Sequence, residues 1–187
     1  MYMIEELYKS FVGADELCTL TERFSVSKFT GRWEQVMTSV STQLMGTGLA
    51  YSSVHAIYTL LDNGTLKVDN GAYDEDIQKV SISGTSKKSN KLETCRTVKF
   101  DNLWFEGNYW LIYVTESHDT VIVAAPIILQ LPYMPICITG NLGLYVLTRD
   151  RDKFWKNQVN EIQSVLKRYG FDKWYNRPVV SGVSKLI

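Results

Sequence analysis

The stretch KFTGRWEQV, residues 28–36, opens the part of the chain that decides the fold. From Phe29 onward the sequence breaks into short runs of β-favouring residues separated by turn signals, and the first run predicts a strand over 32–39. Asn63-Gly64 is typical of a tight hairpin turn, so the segments on either side of it are expected to pair antiparallel. The further predicted strands are 54–61, 66–70, 80–86, 95–100, 109–115, 120–125 and 144–148. Short strands joined by turns, with no helices between them, predict an antiparallel meander that closes on itself or forms a sandwich.

One long helix is predicted near the C-terminus, over 152–169. Its apolar residues recur at helical spacing, and Gly170 follows as a stop signal. These apolar residues are Phe154, Trp155, Val159, Ile162, Val165 and Leu166. No linker rich in Pro, Gly or Ser divides the chain. We therefore expect an N-terminal extension over 1–25 that is able to form a short helix, one domain over 26–175 and a C-terminal tail over 176–187.

The composition excludes some classes of function. Twenty basic and twenty acidic residues cancel, which is unlike the positive surface of a nucleic-acid-binding protein. No apolar run reaches the roughly 18 residues of a membrane-spanning helix. Glu5, Glu6 and Lys9 stand where a signal peptide needs an apolar stretch. We expect no nucleic-acid partner, no transmembrane segment and a cytoplasmic location, unless a signal peptide has been removed.

The three cysteines, Cys18, Cys95 and Cys137, leave two interpretations open. One is a disulfide with a spare thiol; the simpler one is three inert thiols in a reducing compartment. Their wide separation does not resemble a metal site. The acidic run Asp74-Glu75-Asp76 is better explained as a solvated loop, so no metal and no cofactor are expected.

Two separated motifs resemble the lipocalin family. Gly31-Arg32-Trp33 is similar to the Gly-x-Trp signature at the entry to the first lipocalin strand. The apolar run 144–148, which ends at Arg149, resembles the last strand of the same barrel. The resemblance implies that Trp33 closes the barrel floor, that Gly31 permits a close turn from a preceding short helix, and that Arg149 stacks on the indole and donates to nearby carbonyl groups.

Three smaller matches agree with this resemblance. The segment 66–73 and the closing segment 157–172 resemble the branch that includes bacterial lipocalin and apolipoprotein D, and Ser117-His118-Asp119-Thr120 resembles the family's second signature, an acidic turn between strands six and seven. Two departures are Glu34, where a tyrosine commonly follows the signature tryptophan, and a long link over 127–143. The resemblance implies an all-β fold: an eight-stranded antiparallel up-and-down β-barrel with a C-terminal α-helix packed on it.

Alternation along the strands selects the residues that would line the barrel. If Trp33 points inward, Gln35 and Met37 follow, and a mostly apolar interior with a few phenol groups results. The predicted ligand-binding residues of the interior are Met37, Ala56, Tyr58, Val68, Phe100, Tyr109, Leu111 and Tyr113. Val54 and Val98 are also expected to face inward. Met45 and Leu49, in the flexible segment 39–53, are predicted to form a lid loop.

We expect a protein that binds and carries or sequesters a small hydrophobic ligand, such as a fatty acid, a lysophospholipid or a sterol, and catalyses nothing. It would act as a monomer or a homodimer. His55 is expected to face solvent and His118 to lie in a turn, so neither is placed for catalysis or haem ligation. Two alternatives remain. One is a lipocalin-fold enzyme acting on a lipid or isoprenoid, for which Cys95 and the tyrosines are the only candidate catalytic residues. The other is an interaction module whose barrel is filled by its own side chains.

Overall fold

The computed structural model describes residues 24–39, 53–73, 79–89, 92–104, 106–126, 142–169, 171 and 178–180. A short helix, α1 (Val26–Phe29), precedes the first strand. The strands are β1 (Gly31–Ser39), β2 (Ser53–Leu60), β3 (Leu66–Tyr73), β4 (Lys79–Lys88), β5 (Cys95–Phe100), β6 (Gly107–Val114), β7 (Thr120–Pro126), β8 (Leu142–Thr148) and β9 (Pro178–Val180). All eight strands predicted from the sequence are present, with ends that differ by a few residues.

The first eight strands form a closed antiparallel barrel. Each strand from β2 to β7 pairs with the next one along the chain, and β1 pairs with both β8 and β2, which closes the sheet. The turn at Asn63-Gly64 joins β2 to β3, where Gly64 has φ +77° and the side chain of Asn63 accepts from the backbone N–H of Thr65 at 2.9 Å. The predicted eight-stranded up-and-down barrel is therefore confirmed.

Buried side chains fall into two clusters on opposite faces of the barrel wall. In β7, Ile122 belongs to one cluster and its neighbours Val121 and Val123 to the other, as alternation along a strand requires. The interior cluster comprises Phe29, Trp33, Ala56, Tyr58, Leu66, Val68, Leu111, Val114, Val121, Val123 and Leu147. The helix-side cluster comprises Val36, Met37, Cys95, Trp110, Ile112, Ile122, Ala124, Leu144, Val146, Phe154, Ile162, Val165, Leu166 and Phe171.

The C-terminal helix packs on the outside of the barrel, as predicted. It consists of Arg151–Lys153, a single π-helical turn over Phe154–Gln158 and the segment Val159–Arg168. A π-helical turn adds a residue to the helical repeat. Phe154 and Gln158, at the two ends of this turn, are both buried.

Two β-bulges interrupt the strict alternation of side chains. The pairing of β1 with β8 shifts between Gln35 and Met37, and the pairing of β6 with β7 shifts between Leu111 and Tyr113. A bulge adds one residue to a strand, so every side chain after it changes face. Both bulges decide which predicted residues reach the interior.

Strand β9 lies in the predicted C-terminal tail. It pairs antiparallel with Met37–Ser39 of β1, beyond the point where β1 has left β2. Alternation does not reveal a strand this short. The predictions for 1–23, for the segment 40–52 and for 127–141 lie outside the described residues. Within the described helices, none is long and apolar enough to cross a membrane.

Candidate functional site

One end of the barrel is closed by Trp33 and Arg149. The guanidinium carbon of Arg149 lies 3.9 Å from the centre of the Trp33 ring, a cation–π contact. The same guanidinium donates to the carbonyl groups of Arg32 at 2.8 Å, Lys28 at 2.9 Å and Thr30 at 2.6 Å. The indole N–H donates to the carbonyl of Phe29 at 2.7 Å. The arrangement implied by the sequence resemblance is therefore present, and it fixes α1 across the barrel end.

Gly31 is required by this closure for two reasons. Its φ of +93° is a conformation that residues with a side chain rarely adopt. A Cβ atom at this position would also lie 3.0 Å from Nη1 of Arg149. The glycine thus permits the turn from α1 into β1 and leaves room for the guanidinium.

The turn between β6 and β7 attaches the C-terminal helix at the same end. The Asp119 carboxylate accepts from the Lys153 ammonium, from Ser117 and Thr115 hydroxyls, and from the Gln158 amide at 2.7 Å. Although burial by itself raises the pKa of Asp119, these hydrogen bonds together hold it well below the ordinary value. The ionised carboxylate is therefore part of the attachment.

A polar layer of tyrosines lies within the barrel interior. The hydroxyl groups of Tyr58 on β2 and Tyr109 on β6 are in direct hydrogen-bond contact. Tyr58 is buried beside Phe29, with the ring centres 4.4 Å apart. Burial raises the pKa of both phenols well above the ordinary value, and the nearby Tyr145 raises both further. The phenols therefore stay protonated at physiological pH and act as neutral hydrogen-bonding groups.

Asn70 adds an unsatisfied polar atom to the interior. It lies on β3 opposite Ala56 and shares the inward face of that strand with Val68. Its Oδ1 is buried, and no donor reaches it among the described residues. A buried acceptor without a donor costs about 1–3 kcal/mol and calls for an explanation. Asn70 therefore places an unsatisfied acceptor on the inward face of β3.

Arg96 is the one charged side chain fully buried in the described part of the chain. It shares the inward face of β5 with Val98 and stands opposite Tyr109 on β6. Its guanidinium donates to Oγ of Ser86 at 3.1 Å and to the Ser86 carbonyl at 2.9 Å, and pairs with Glu93 at 3.2 Å. The charge is thus compensated by the protein's own groups.

The structure brings six of the eight predicted interior residues together. Ala56, Tyr58, Val68 and Leu111 belong to the interior cluster, and Phe100 and Tyr109 pack against it. Their role in ligand binding stays a prediction. The lid residues Met45 and Leu49 lie outside the described residues.

The expected inward orientation of Met37 and Tyr113 is wrong, because each follows a bulge. Met37 pairs with Val146 and is buried in the helix-side cluster. Tyr113 packs against the same cluster, and its hydroxyl donates to the Glu161 carboxylate of the C-terminal helix. Strict alternation cannot detect an inserted residue, so the sequence pattern placed both on the wrong face.

Two further expectations are corrected. His55 lies on the outer face of β2, but it is buried and does not face solvent. Its ring covers Gly71: a Cβ atom at Gly71 would lie within 2.6 Å of Cε1 and Nε2 of His55. Cys95 is disulfide-bonded, with a partner cysteine outside the described residues, and is buried on the helix side. This excludes three free thiols and leaves Cys95 without the thiolate that a nucleophile needs.

Three polar residues of the interior were not singled out from the sequence. Tyr145 could have been found by alternation from Leu147, since both face inward on β8. Asn70 and Arg96 share inward faces with Val68 and Val98, but polar types are rarely buried and do not indicate a core by themselves. No group of His, Cys, Asp or Glu within the described residues is arranged to hold a metal ion.

Comparison with known proteins agrees with this architecture. Residues 24–131 match the family model described as a lipocalin-like domain. No curated protein matches the sequence. Among solved structures, the chain is similar to the cockroach allergen Per a 4, at 15% identity over 85% of this chain and 88% of that one, with a TM-score of 0.55. It is also similar to lobster apocrustacyanin A1, at 13% identity over 91% and 86% of the two chains, with a TM-score of 0.60.

At such identities the solved structures establish the fold alone. The family model covers more than half of the chain and includes the Gly31-x-Trp33 motif. The bacterial lipocalin and apolipoprotein D branch stays a prediction. The chain belongs to the lipocalin family, whose members generally bind small hydrophobic ligands and are generally not enzymes.

Proposed function

We propose that this lipocalin binds and carries or sequesters a small hydrophobic molecule, such as a fatty acid, a lysophospholipid or a sterol, inside the barrel. The observation that carries the proposal is the composition of the interior. It is apolar where Trp33, Val68 and Leu111 pack, and it contains a polar layer formed by Tyr58, Tyr109 and Asn70. An apolar site with a few placed polar groups is typical of small-molecule pockets.

The strand directions support an asymmetric barrel with a closed and an open end. Trp33, Arg149 and the aromatic ring of Phe29 fill the end where β1 begins. Beyond Ala56, which pairs with Trp33, the next inward position of β3 toward the other end is the small residue Ala72. Small side chains leave volume for a ligand. The affinity for that ligand would come from the burial of apolar surface, which contributes about 25 cal/mol for each Å².

The structure gives less support to the alternative of a lipocalin-fold enzyme. Cys95 is disulfide-bonded and lies on the helix side. Burial raises the pKa of Tyr58 and Tyr109, which disfavours the phenolate that a base or nucleophile would need. We therefore propose that the protein acts by binding alone.

The cellular location stays a prediction. A cytoplasmic location was expected from the sequence, whereas the disulfide of Cys95 favours an oxidising compartment. We propose the oxidising compartment, and peptide mapping of protein purified from its natural source, without reduction, tests it. A free Cys95 thiol in that material would contradict the proposal.

The carrier function is tested by extraction and by a matched pair of variants. Protein purified from cells is unfolded in organic solvent, and the released molecules are identified by mass spectrometry; we expect one apolar molecule per chain. Binding of a neutral apolar fluorescent probe is then measured. Ala56→Phe places a ring inside the barrel and should abolish probe binding, whereas Ile57→Phe, on the exposed outer face of the same strand, should leave it unchanged.

Two results would contradict the carrier function. The first is that nothing apolar is extracted and that the wild-type protein does not bind the probe. The second is that both variants fold and bind the probe equally well. In either case a filled barrel that acts as an interaction module becomes the better account.

A further inference from the structure

Resting on the proposed carrier function, we propose that the turn between β5 and β6, residues 101–106, docks the open end of the barrel onto the surface of a zwitterionic lipid bilayer. Trp104 is the anchor that enters the headgroup layer. An apolar cargo partitions out of water into lipid, so a bilayer is where a carrier collects or releases it.

The turn lies at the end of the barrel opposite to the closure by Trp33 and Arg149. The turn between β6 and β7 belongs to the closed end, since the backbone N–H of Arg149 donates to the carbonyl of Asp119 at 2.8 Å. Neighbouring strands are antiparallel, so successive turns alternate between the two ends. The turn that contains Trp104 is therefore at the end where the proposed ligand enters.

Trp104 is the most exposed large apolar side chain in the described part of the chain, at 91%. The other exposed large apolar side chains there reach no more than 42%. Two backbone hydrogen bonds hold the turn. The N–H of Leu103 donates to the carbonyl of Phe100 at 3.0 Å, and the N–H of Asp101 donates to the carbonyl of Ser83 at 2.9 Å. The folded turn thus presents the indole to its surroundings.

The charges described around this turn balance. Glu106 pairs with Lys87 at 3.2 Å and accepts from the hydroxyl group of Thr97. The charge of Lys99 also acts on this carboxylate, and Asp101 carries a second negative charge. Two positive and two negative side chains therefore lie at the base of the turn. Anionic membranes attract clusters of basic residues, so this balance favours a zwitterionic surface.

The size of the exposed surface favours a bilayer over a protein partner. A tryptophan side chain buries about 150–250 Å². A stable protein interface buries roughly 800 Å² on each partner, several times more than this side chain offers. Tryptophan is enriched at membrane–water interfaces, because its ring is apolar and its N–H finds a polar partner there. The turn therefore fits a lipid surface better than a second protein.

The test measures binding of the full chain to phosphatidylcholine vesicles by flotation, at low and high salt. We expect the wild type to bind equally at both, because no net charge takes part. Trp104→Ser should lower the partition coefficient about 10- to 100-fold, the effect of losing one large buried apolar side chain. Leu61→Ser is the matched control and should change nothing, because Leu61 is also exposed, at 38%, but follows β2 at the closed end. Both substitutions change exposed side chains, so calorimetry should give Tm values close to that of the wild type.

Two further measurements locate the contact and relate it to the cargo. Vesicles of bromine-labelled phosphatidylcholine should quench the tryptophan fluorescence of the wild type. Trp104→Phe keeps an aromatic anchor, so it should still bind these vesicles but lose most of the quenching, since Trp33 and Trp110 are buried in the protein. Transfer of a neutral apolar fluorescent probe from loaded protein should become faster with vesicle concentration for the wild type and for Leu61→Ser, but not for Trp104→Ser.

The outcomes separate docking from carriage. If the wild type binds the probe but not the vesicles, or if Trp104→Ser and Leu61→Ser bind vesicles equally well, the docking inference is overturned and the carrier function still stands. If vesicles are not bound and the wild type is a dimer that Trp104→Ser dissociates, the turn is a protein interface and the inference is also overturned. If vesicles are bound through Trp104 but no apolar molecule is bound or extracted, the docking stands and the carrier function fails. Vesicle binding and probe transfer that both depend on Trp104 support both proposals.

Discussion

Replacing Arg149 by methionine should destabilise the barrel more than any comparable change of a surface arginine. The substitution keeps an unbranched side chain and removes the guanidinium that contacts Trp33 and donates to three carbonyl groups. The cation–π contact contributes about 0.5–1 kcal/mol at a partly exposed site. The bonds to Lys28 and Arg32 are exposed, so water replaces the lost donor there at small cost.

The bond to Thr30 is different because its carbonyl is part-buried and receives the shortest of the three contacts, at 2.6 Å. Leaving such an acceptor unsatisfied costs about 1–3 kcal/mol. Taken together, we expect a loss of about 3 kcal/mol in the free energy of unfolding. For a chain of this length, that corresponds to a fall in Tm of about 6–12 °C.

The assay is urea denaturation followed by tryptophan fluorescence, together with calorimetry. Arg32→Met is the matched control, because Arg32 is half exposed and its contact with Glu34, at 3.6 Å, is a surface ion pair. Such pairs contribute about 0–1 kcal/mol. If Arg149→Met costs no more than Arg32→Met, the guanidinium does not hold the barrel end and the reasoning is refuted.

Three further predictions concern the same end of the barrel and the disulfide. Gly31→Ala should lower the free energy of unfolding by about 2 kcal/mol, because of backbone strain at φ +93° and crowding of Arg149. In the Arg149→Met background this cost should be smaller. If the effects of the two substitutions are strictly additive, Gly31 and Arg149 are not in contact. Asp119 has a lowered pKa in the folded protein, so its stabilising effect is present above the unfolded pKa of about 3.9 and lost as the pH falls further. The Tm difference between wild type and Asp119→Asn should therefore be largest near pH 7 and shrink below about pH 4 in calorimetry, and a difference independent of pH would show that the carboxylate charge is not involved. Mapping without reduction should find Cys95 in a disulfide-linked peptide and, since the chain has three cysteines, one free thiol per chain; three titrating thiols in the denatured oxidised protein would be the opposite result.

Much of the barrel was predictable because it follows from local rules. Turn signals such as Asn63-Gly64 mark the strand ends, and the apolar spacing before Gly170 marks the C-terminal helix. The closure by Trp33 and Arg149 was implied by two motifs far apart in the chain, which the resemblance joined. The interior was predicted where alternation holds without interruption, as for Ala56, Tyr58 and Val68.

The faces of Met37 and Tyr113 were decided by tertiary structure alone. Each follows a bulge, and a bulge depends on how the neighbouring strand pairs, which no pattern within one strand reveals. The same applies to the Tyr58–Tyr109 contact, which joins strands on different sides of the barrel. It applies also to Asn70, whose unsatisfied oxygen is visible only once its surroundings are in place. The sequence by itself determined the family, the strand order and most inward positions, because these depend on motifs, periodicity and turn chemistry. The register shifts and the polar layer were decided by the closed barrel, because they arise from contacts between strands that are distant in the sequence.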